Sequence, residues 1–232
     1  MEVTVVDSLR PYARACGVVY VLIFIAAIFG EIFAARLVND DSAEATVANI
    51  TGSEATWRLG FAAQAFTMLC DVAVSWLLYL LLAPVNQKLS LLAAFFRLTY
   101  LAAYAPAVLG NIAVLRLAQA HQAEATLFAA RMHDSAFALS LIFFGANLLV
   151  AGYLIGRAPI AVRWLSVALE IAGVCYIVNS FTIFIAPGIH SLVSPWILLP
   201  PLVGELSLTF WLLLTRKFDG LAVGHPAAVP NP

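Results

Sequence analysis

The chain has 232 residues, 63% of them hydrophobic and 11% charged, with a mean hydropathy of +0.95 and a formal net charge of −1. Soluble domains carry about 25% charged residues, and a chain this short cannot bury so many apolar side chains in a water-bounded core. A soluble globular fold is excluded, the lipid bilayer must solvate much of the surface, and the near-neutral balance leaves no basic face for nucleic acid.

A membrane-spanning helix needs about 20 mainly apolar residues. Six stretches qualify, at 13–35, 59–82, 89–115, 136–155, 164–186 and 196–214. Arg10 and Arg14 precede the first as in a signal peptide. Its apolar run, however, passes Ile28 to Ala35 without a small-x-small cleavage site. An uncleaved signal-anchor helix is expected; cleavage would leave five spans. The segment 37–57 holds Asp40, Asp41, Glu44 and Glu54, with a helix start at Asp41-Ser42-Ala43-Glu44 and a stop at Gly52. Asn49-Ile50-Thr51 matches a glycosylation sequon, read here as a chance match in an alanine-rich chain of bacterial character. Short turns are expected at 83–88, 156–163 and 187–195. The segment 118–132 places His121, Glu124 and Arg131 around Leu127 and Phe128, the pattern of a short interfacial helix. The tail 218–232 is rich in Gly, Ala and Pro and is expected to be disordered. The result is an all-α polytopic membrane bundle of six transmembrane helices, one domain over residues 1–217. No three-helix internal repeat of the inverted-repeat transporter kind is visible.

Basic residues set orientation. With the N-terminus inside, Arg10, Arg14, Lys88, Arg157, Arg163, Arg216 and Lys217 fall on the cytoplasmic side, against Arg36, Arg58, Arg116 and Arg131 outside. Both termini are therefore expected in the cytoplasm, in a multi-pass protein of the cell membrane, a bacterial inner membrane by its character.

The polar residues of the spans fall in stripes. Arg97, Tyr100, Tyr104 and Asn111 share one helical face of the third span, and Gln64, Thr67, Asp71 and Ser75 one face of the second. His133, Ser140 and Asn147 recur every seven residues; Glu205 and Thr209 lie one turn apart; Tyr20 aligns with Glu31. Glu170 sits in the fifth span, with Gly173, Tyr176 and Ser180 on an adjoining face. A charge facing acyl chains at mid-bilayer costs about 2.5–3.5 kcal/mol. The stripes carrying Glu31, Asp71, Arg97, Glu170 and Glu205 are therefore expected to converge on the interior. Arg97 is the one cation within the spans and cannot shed its charge, so it is expected to pair with at least one of these acids, and a surplus acid to be neutral.

Cys16, Cys70 and Cys175 fall within apolar segments without ligand or redox spacing and are read as reduced packing residues. His121, His133 and His190 all lie on the expected outer side, but no H-x-x-x-H or H-E-x-x-H spacing supports zinc. No phosphate loop, nucleophile elbow or haem-type histidine pair is found, and neither catalytic residues, metal nor cofactor are expected.

Five strings carry a family resemblance: ANITGSEATWRLGF at 48–61, LLLAPVNQKLSLLAAFFRLTY at 80–100, SLIFFGANLLVAGYLIGRA at 140–158, GVCYIVNSFTIFIAPG at 173–188 and LPPLVGELSLTFWLLL at 199–214. They resemble the bacterial membrane proteins of the domain-of-unknown-function-4386 family, over about residues 14–216. The pattern P-V-N-x-x-L-x-L-L-A-x-F-F-R-L, whose Arg is Arg97, is its most specific part. The resemblance implies the same six-span architecture and brings no established activity, so no catalytic role passes to any residue. It directs attention to Arg58, Asp71, Arg97, His133, Tyr153 and Glu205. Where the resemblance leads one to expect a His or similar residue near Asn147, the chain reads F-F-G-A-N, which counts against a metal ligand there.

The leading expectation is a small helical membrane protein that binds or moves a small solute, lipid-like molecule or proton through a polar interior. Asp71, Arg97, Glu170 and Glu205 would line it, with Tyr100, Tyr104 and Asn111 as hydrogen-bond donors. A non-catalytic sensor or assembly partner with dry, paired polar contacts comes second, and an outward-facing metal-dependent hydrolase third.

Overall fold

The computed structural model describes residues 9–159 and 162–215, without the side chains of residues 31–33. The expected tail at 218–232, the basic pair Arg216 and Lys217, and the side chain of Glu31 thus lie outside the described residues. Every regular element among the described residues is helical: α1 (Arg10–Ala27), α2 (Ala43–Gly52), α3 (Glu54–Leu82), α4 (Gln87–Gln119), α5 (Ala123–Arg157), α6 (Arg163–Ile185), α7 (Pro187–Val193) and α8 (Leu199–Leu214). A π-helical turn, Ile28–Phe33, and a 3-10 turn, Ala35–Leu37, extend α1. Six segments are long and apolar enough to cross a membrane: Arg10–Leu37, Glu54–Leu82, Gln87–Gln119, Ala123–Arg157, Arg163–Ile185 and Trp196–Leu214. The chain is a polytopic helical membrane bundle.

Local chemistry sets several element ends. Ser42 Oγ accepts the Ala45 amide at 3.1 Å and caps α2, while Asn86 Oδ1 accepts the Leu89 amide at 3.1 Å and caps α4. Pro200 and Pro201 fall in the first turn of α8, where a missing N–H breaks no helical bond.

Each spanning helix packs on its neighbour in sequence, and α8 closes against α1, so the six form a ring. Call the end holding the start of α1, the α3–α4 and α5–α6 turns and the close of α8 the terminal end; the opposite, loop end holds α2, the α4–α5 turn and α7. In hydrocarbon, close packing of small residues replaces the hydrophobic effect as the force between helices. A Cβ on Gly145 would lie 2.6 Å from the Gly173 carbonyl oxygen, so α5 and α6 touch backbone to backbone. On the closing seam, a Cβ on Gly17 would lie 2.7 Å from Leu213 Cγ. At the loop end Ile50, Trp57, Val114 and Ala118 form a separate apolar cluster over the bundle. It is tied down by Arg131 Nη2 donating to the Asp40 carbonyl at 2.8 Å and by Gln119 Nε2 donating to Glu54 Oε1 at 2.9 Å.

Two connections differ from the sequence-based expectation. Residues 118–132 hold no separate interfacial helix: α4 runs to Gln119, a tight turn follows, and α5 starts at Ala123. Of the apolar pair expected on a membrane surface, Leu127 packs inward beside Thr126 and Ala130, while Phe128 is 66% exposed. The turn expected at 187–195 contains α7, started by Pro187 at its first helical position.

Candidate functional site

The stripes of α3 and α4 meet at a buried ion pair. Arg97 Nε donates to Asp71 Oδ1 at 2.9 Å, and Nη2 reaches the same oxygen. Arg97 Nη1 donates to Tyr20 Oη at 2.8 Å. The guanidinium carbon stands 5.1 Å from the Tyr20 ring centre and 5.0 Å from that of Phe144, so two aromatic faces cover the cation. Arg97 is 1% exposed and Asp71 3%. Helices α1, α3 and α5 thus each supply a group to the enclosed cation of α4.

Toward the loop end this pair forms the floor of a cavity of about 300 Å³, at the small end of the range of ligand pockets. The walls are aromatic and aliphatic, with Phe24, Tyr100, Tyr104, Phe137, Phe144 and Tyr176 prominent. Tyr100 and Tyr104 stack with ring centres 5.8 Å apart. Glu205 of α8 enters from the wall; its Oε1 accepts from Tyr176 Oη at 2.7 Å, and it is half-buried where Asp71 and Arg97 are sealed. Leu198 and Leu202 line the cavity and are also 37% and 47% exposed at the surface, so the chamber opens beside α8. On the other side of Arg97, toward the terminal end, lies a void of about 10 Å³, bordered by Ser75, Ser90 and Asn147. Asn147 Nδ2 donates to the Ala93 carbonyl at 2.8 Å there, fixing α5 to α4.

A second cavity of about 200 Å³ lies nearer the loop end, among Asp40, Trp57, Gln64, Asn111, His133 and Asp134. Gln64 belongs to the walls of both cavities, and Asn111 Nδ2 donates to its Oε1 at 2.6 Å, so this amide pair stands between them. The Trp57 indole N–H donates to the Asn111 carbonyl at 2.9 Å. His133 Nδ1 lies 2.9 Å from the Ala107 carbonyl, which can only accept, so that nitrogen carries the proton.

Residues 15–215 match the family described as Domain of unknown function (DUF4386). The chain belongs to that family. An uncharacterized protein of Archaeoglobus fulgidus is 28% identical to this DUF4386 chain over 68% of it and 85% of the relative. No solved structure matches it significantly.

Of the residues singled out in the sequence, Asp71, Arg97, Tyr100, Tyr104 and Glu205 surround the first cavity. Asn111 does not; it lines the second, although it shares the α4 stripe, because it lies about two turns beyond Tyr104. Glu170 is a correction. It sits on a surface groove between α5 and α6 with Leu149, Tyr153 and Cys175, and Ser166 Oγ donates to its Oε1 at 3.3 Å. Tyr176 points into the cavity, and six residues turn a helix through about 600°, so Glu170 is directed about 120° away and cannot follow it. Tyr20 and Phe144 are partners of Arg97 that sequence reasoning does not assign to it. Tyr20 stands out as a phenol in an apolar span, whereas nothing distinguishes Phe144 among the chain's 15 phenylalanines. Among the described residues no three His, Cys, Asp or Glu side chains form a group able to hold a metal.

Proposed function

We propose that this DUF4386 protein takes a small molecule from the membrane into the cavity beside α8, holds it against Glu205 and Tyr176, and releases or carries it from there. The observation that supports this reading is the asymmetry of the interior. A ligand-sized chamber reaches Glu205 from a rim of exposed leucines, and beyond the Arg97–Asp71 pair there is room for about one water. With the terminal end in the cytoplasm, as the basic residues favour, the mouth faces the outer half of the membrane. The ion pair then acts as a floor, and passage past it requires a rearrangement of α1, α3 and α4.

A specific observation also favours the second reading, a sensor or assembly partner: the Arg97–Asp71–Tyr20 contact is itself buried and hydrogen-bonded within the bundle. Thermal unfolding of purified protein in a neutral detergent, with 1-octanol as probe, separates the two. A ligand at 100 times its dissociation constant stabilises the folded state by about 2.7 kcal/mol. Saturable stabilisation of the wild type, lost in Leu202→Trp, supports the cavity reading. Its absence, or an equal effect in Leu202→Trp, leaves the assembly reading.

A further inference from the structure

Three charged side chains line the first cavity: Asp71, Arg97 and Glu205. Ionised, they sum to −1, and the surplus sits on one group. Arg97 is committed to Asp71 and Tyr20 under two aromatic rings, and the two charged residues are only 1% and 3% exposed. Glu205 is half-buried, lines the chamber and forms no ion pair among the described residues; its side-chain hydrogen-bond partner is the Tyr176 phenol. Among the described residues, the titratable groups facing this site are Cys16 and Tyr20 on α1, Asp71 on α3, Arg97, Tyr100 and Tyr104 on α4, and Tyr176 on α6; α5 supplies Phe137, Leu141 and Phe144. No second cation is among them.

A carboxylate in an apolar wall is costly unless something cancels its charge. Two agents can do so: a proton, or a cation entering with the ligand. The chamber favours an organic cation over an inorganic one. A hard metal ion asks for several oxygen ligands, whereas the walls are aromatic faces suited to an ammonium and its carbon substituents. Thr67, also in the wall, carries a buried Oγ1 with no hydrogen-bond partner among the described residues.

We propose that the ligand of this cavity is a small organic ammonium with an apolar tail, held by Glu205 as counter-ion, and that it and a proton exclude one another at that carboxylate. The tail lies along the aromatic walls toward Leu198 and Leu202. The exchange is balanced: the cation enters, the carboxyl O–H proton leaves to water, and the chamber stays neutral throughout. The ammonium assignment rests on the cavity reading proposed above.

The test is equilibrium binding of octylammonium, octanoate and 1-octanol to the purified full chain in neutral detergent, over a descending pH series, with Leu202→Trp as the filled-cavity control. Octylammonium is expected to bind about tenfold more tightly than the other two, a difference of about 1.4 kcal/mol. Its affinity should fall about tenfold per pH unit on the acid side, as one-proton competition requires. Glu205→Gln should erase both the preference and the pH dependence. Equal binding of octylammonium and octanol, or a preference that survives in Glu205→Gln, overturns the ammonium assignment and leaves the cavity reading standing. If none of the three binds, or Leu202→Trp changes nothing, the cavity reading falls and the assignment with it. Should Glu205→Gln fail to fold, the pH series on wild type and on Tyr176→Phe decides: a flat series overturns the proposal.

Discussion

Arg97 holds its charge at every accessible pH, so its surroundings must adapt to it. Arg97→Ala would leave Asp71 buried without its cation, and breaking such a pair costs about 3–5 kcal/mol. A marked fall in thermal unfolding temperature in detergent is expected. Arg97→Lys should be intermediate, since an ammonium cannot serve Asp71 and Tyr20 together with the planar fork of Arg97. The double change Arg97→Met, Asp71→Leu should recover much of the loss, because an apolar pair leaves no unsatisfied charge. If the double variant is as unstable as Arg97→Ala, the pair is not what holds these helices. The pairing is legible in the sequence because hydrocarbon gives an Arg almost no other choice. The same rule misplaces Glu170: it says that a charge avoids lipid, and a half-exposed groove with Ser166 and Tyr153 at hand satisfies it without reaching the interior. Phase around the helix, not membrane depth, decides where that carboxylate goes.

At the scale of the elements, glycine positions determine how near the helices lie. Gly145→Leu sets a branched side chain against the Gly173 backbone, and overpacking of this kind costs about 1–3 kcal/mol. Thermal unfolding should register that loss, whereas Gly110→Leu, which meets nothing within 4 Å, should leave it unchanged. Ser42 and Gly52 mark the ends of α2 in the sequence itself, because a hydroxyl cap and a terminal glycine act locally. The α4–α5 turn gives no such signal, since it carries neither Gly nor Pro. Its tight reversal depends on His121 at φ 53°, in the left-handed region that histidine tolerates better than most residues. His121→Val should therefore destabilise by about 1–2 kcal/mol, and His121→Gly should not. Comparable melting of both variants would show that this turn bears no strain.

The whole molecule is a ring whose two ends differ: short turns at one, a packed cap of α2 and the α4–α5 turn at the other. The six spans are legible from apolar length alone. The chamber is not, since its volume arises from how six faces diverge. Sidedness is tested by single cysteines in a cysteine-free background, at Gln87 for the terminal end and at Asp41 for the loop end. An impermeant maleimide applied to intact cells should label Asp41→Cys and spare Gln87→Cys. The reverse pattern would place the cavity mouth in the cytoplasmic leaflet.

The contact of α8 with α1 also bears on biogenesis. Glu205, Leu198 and Leu202 all arrive with the last spanning segment, as does Leu213 opposite Gly17. A nascent chain with only its first five spans inserted has an open seam, and acyl chains can enter between α1 and α6 as far as the Arg97 floor. Under the proposed binding role, the chamber would thus be completed in a single late step, when the segment from residue 196 joins helices already in place.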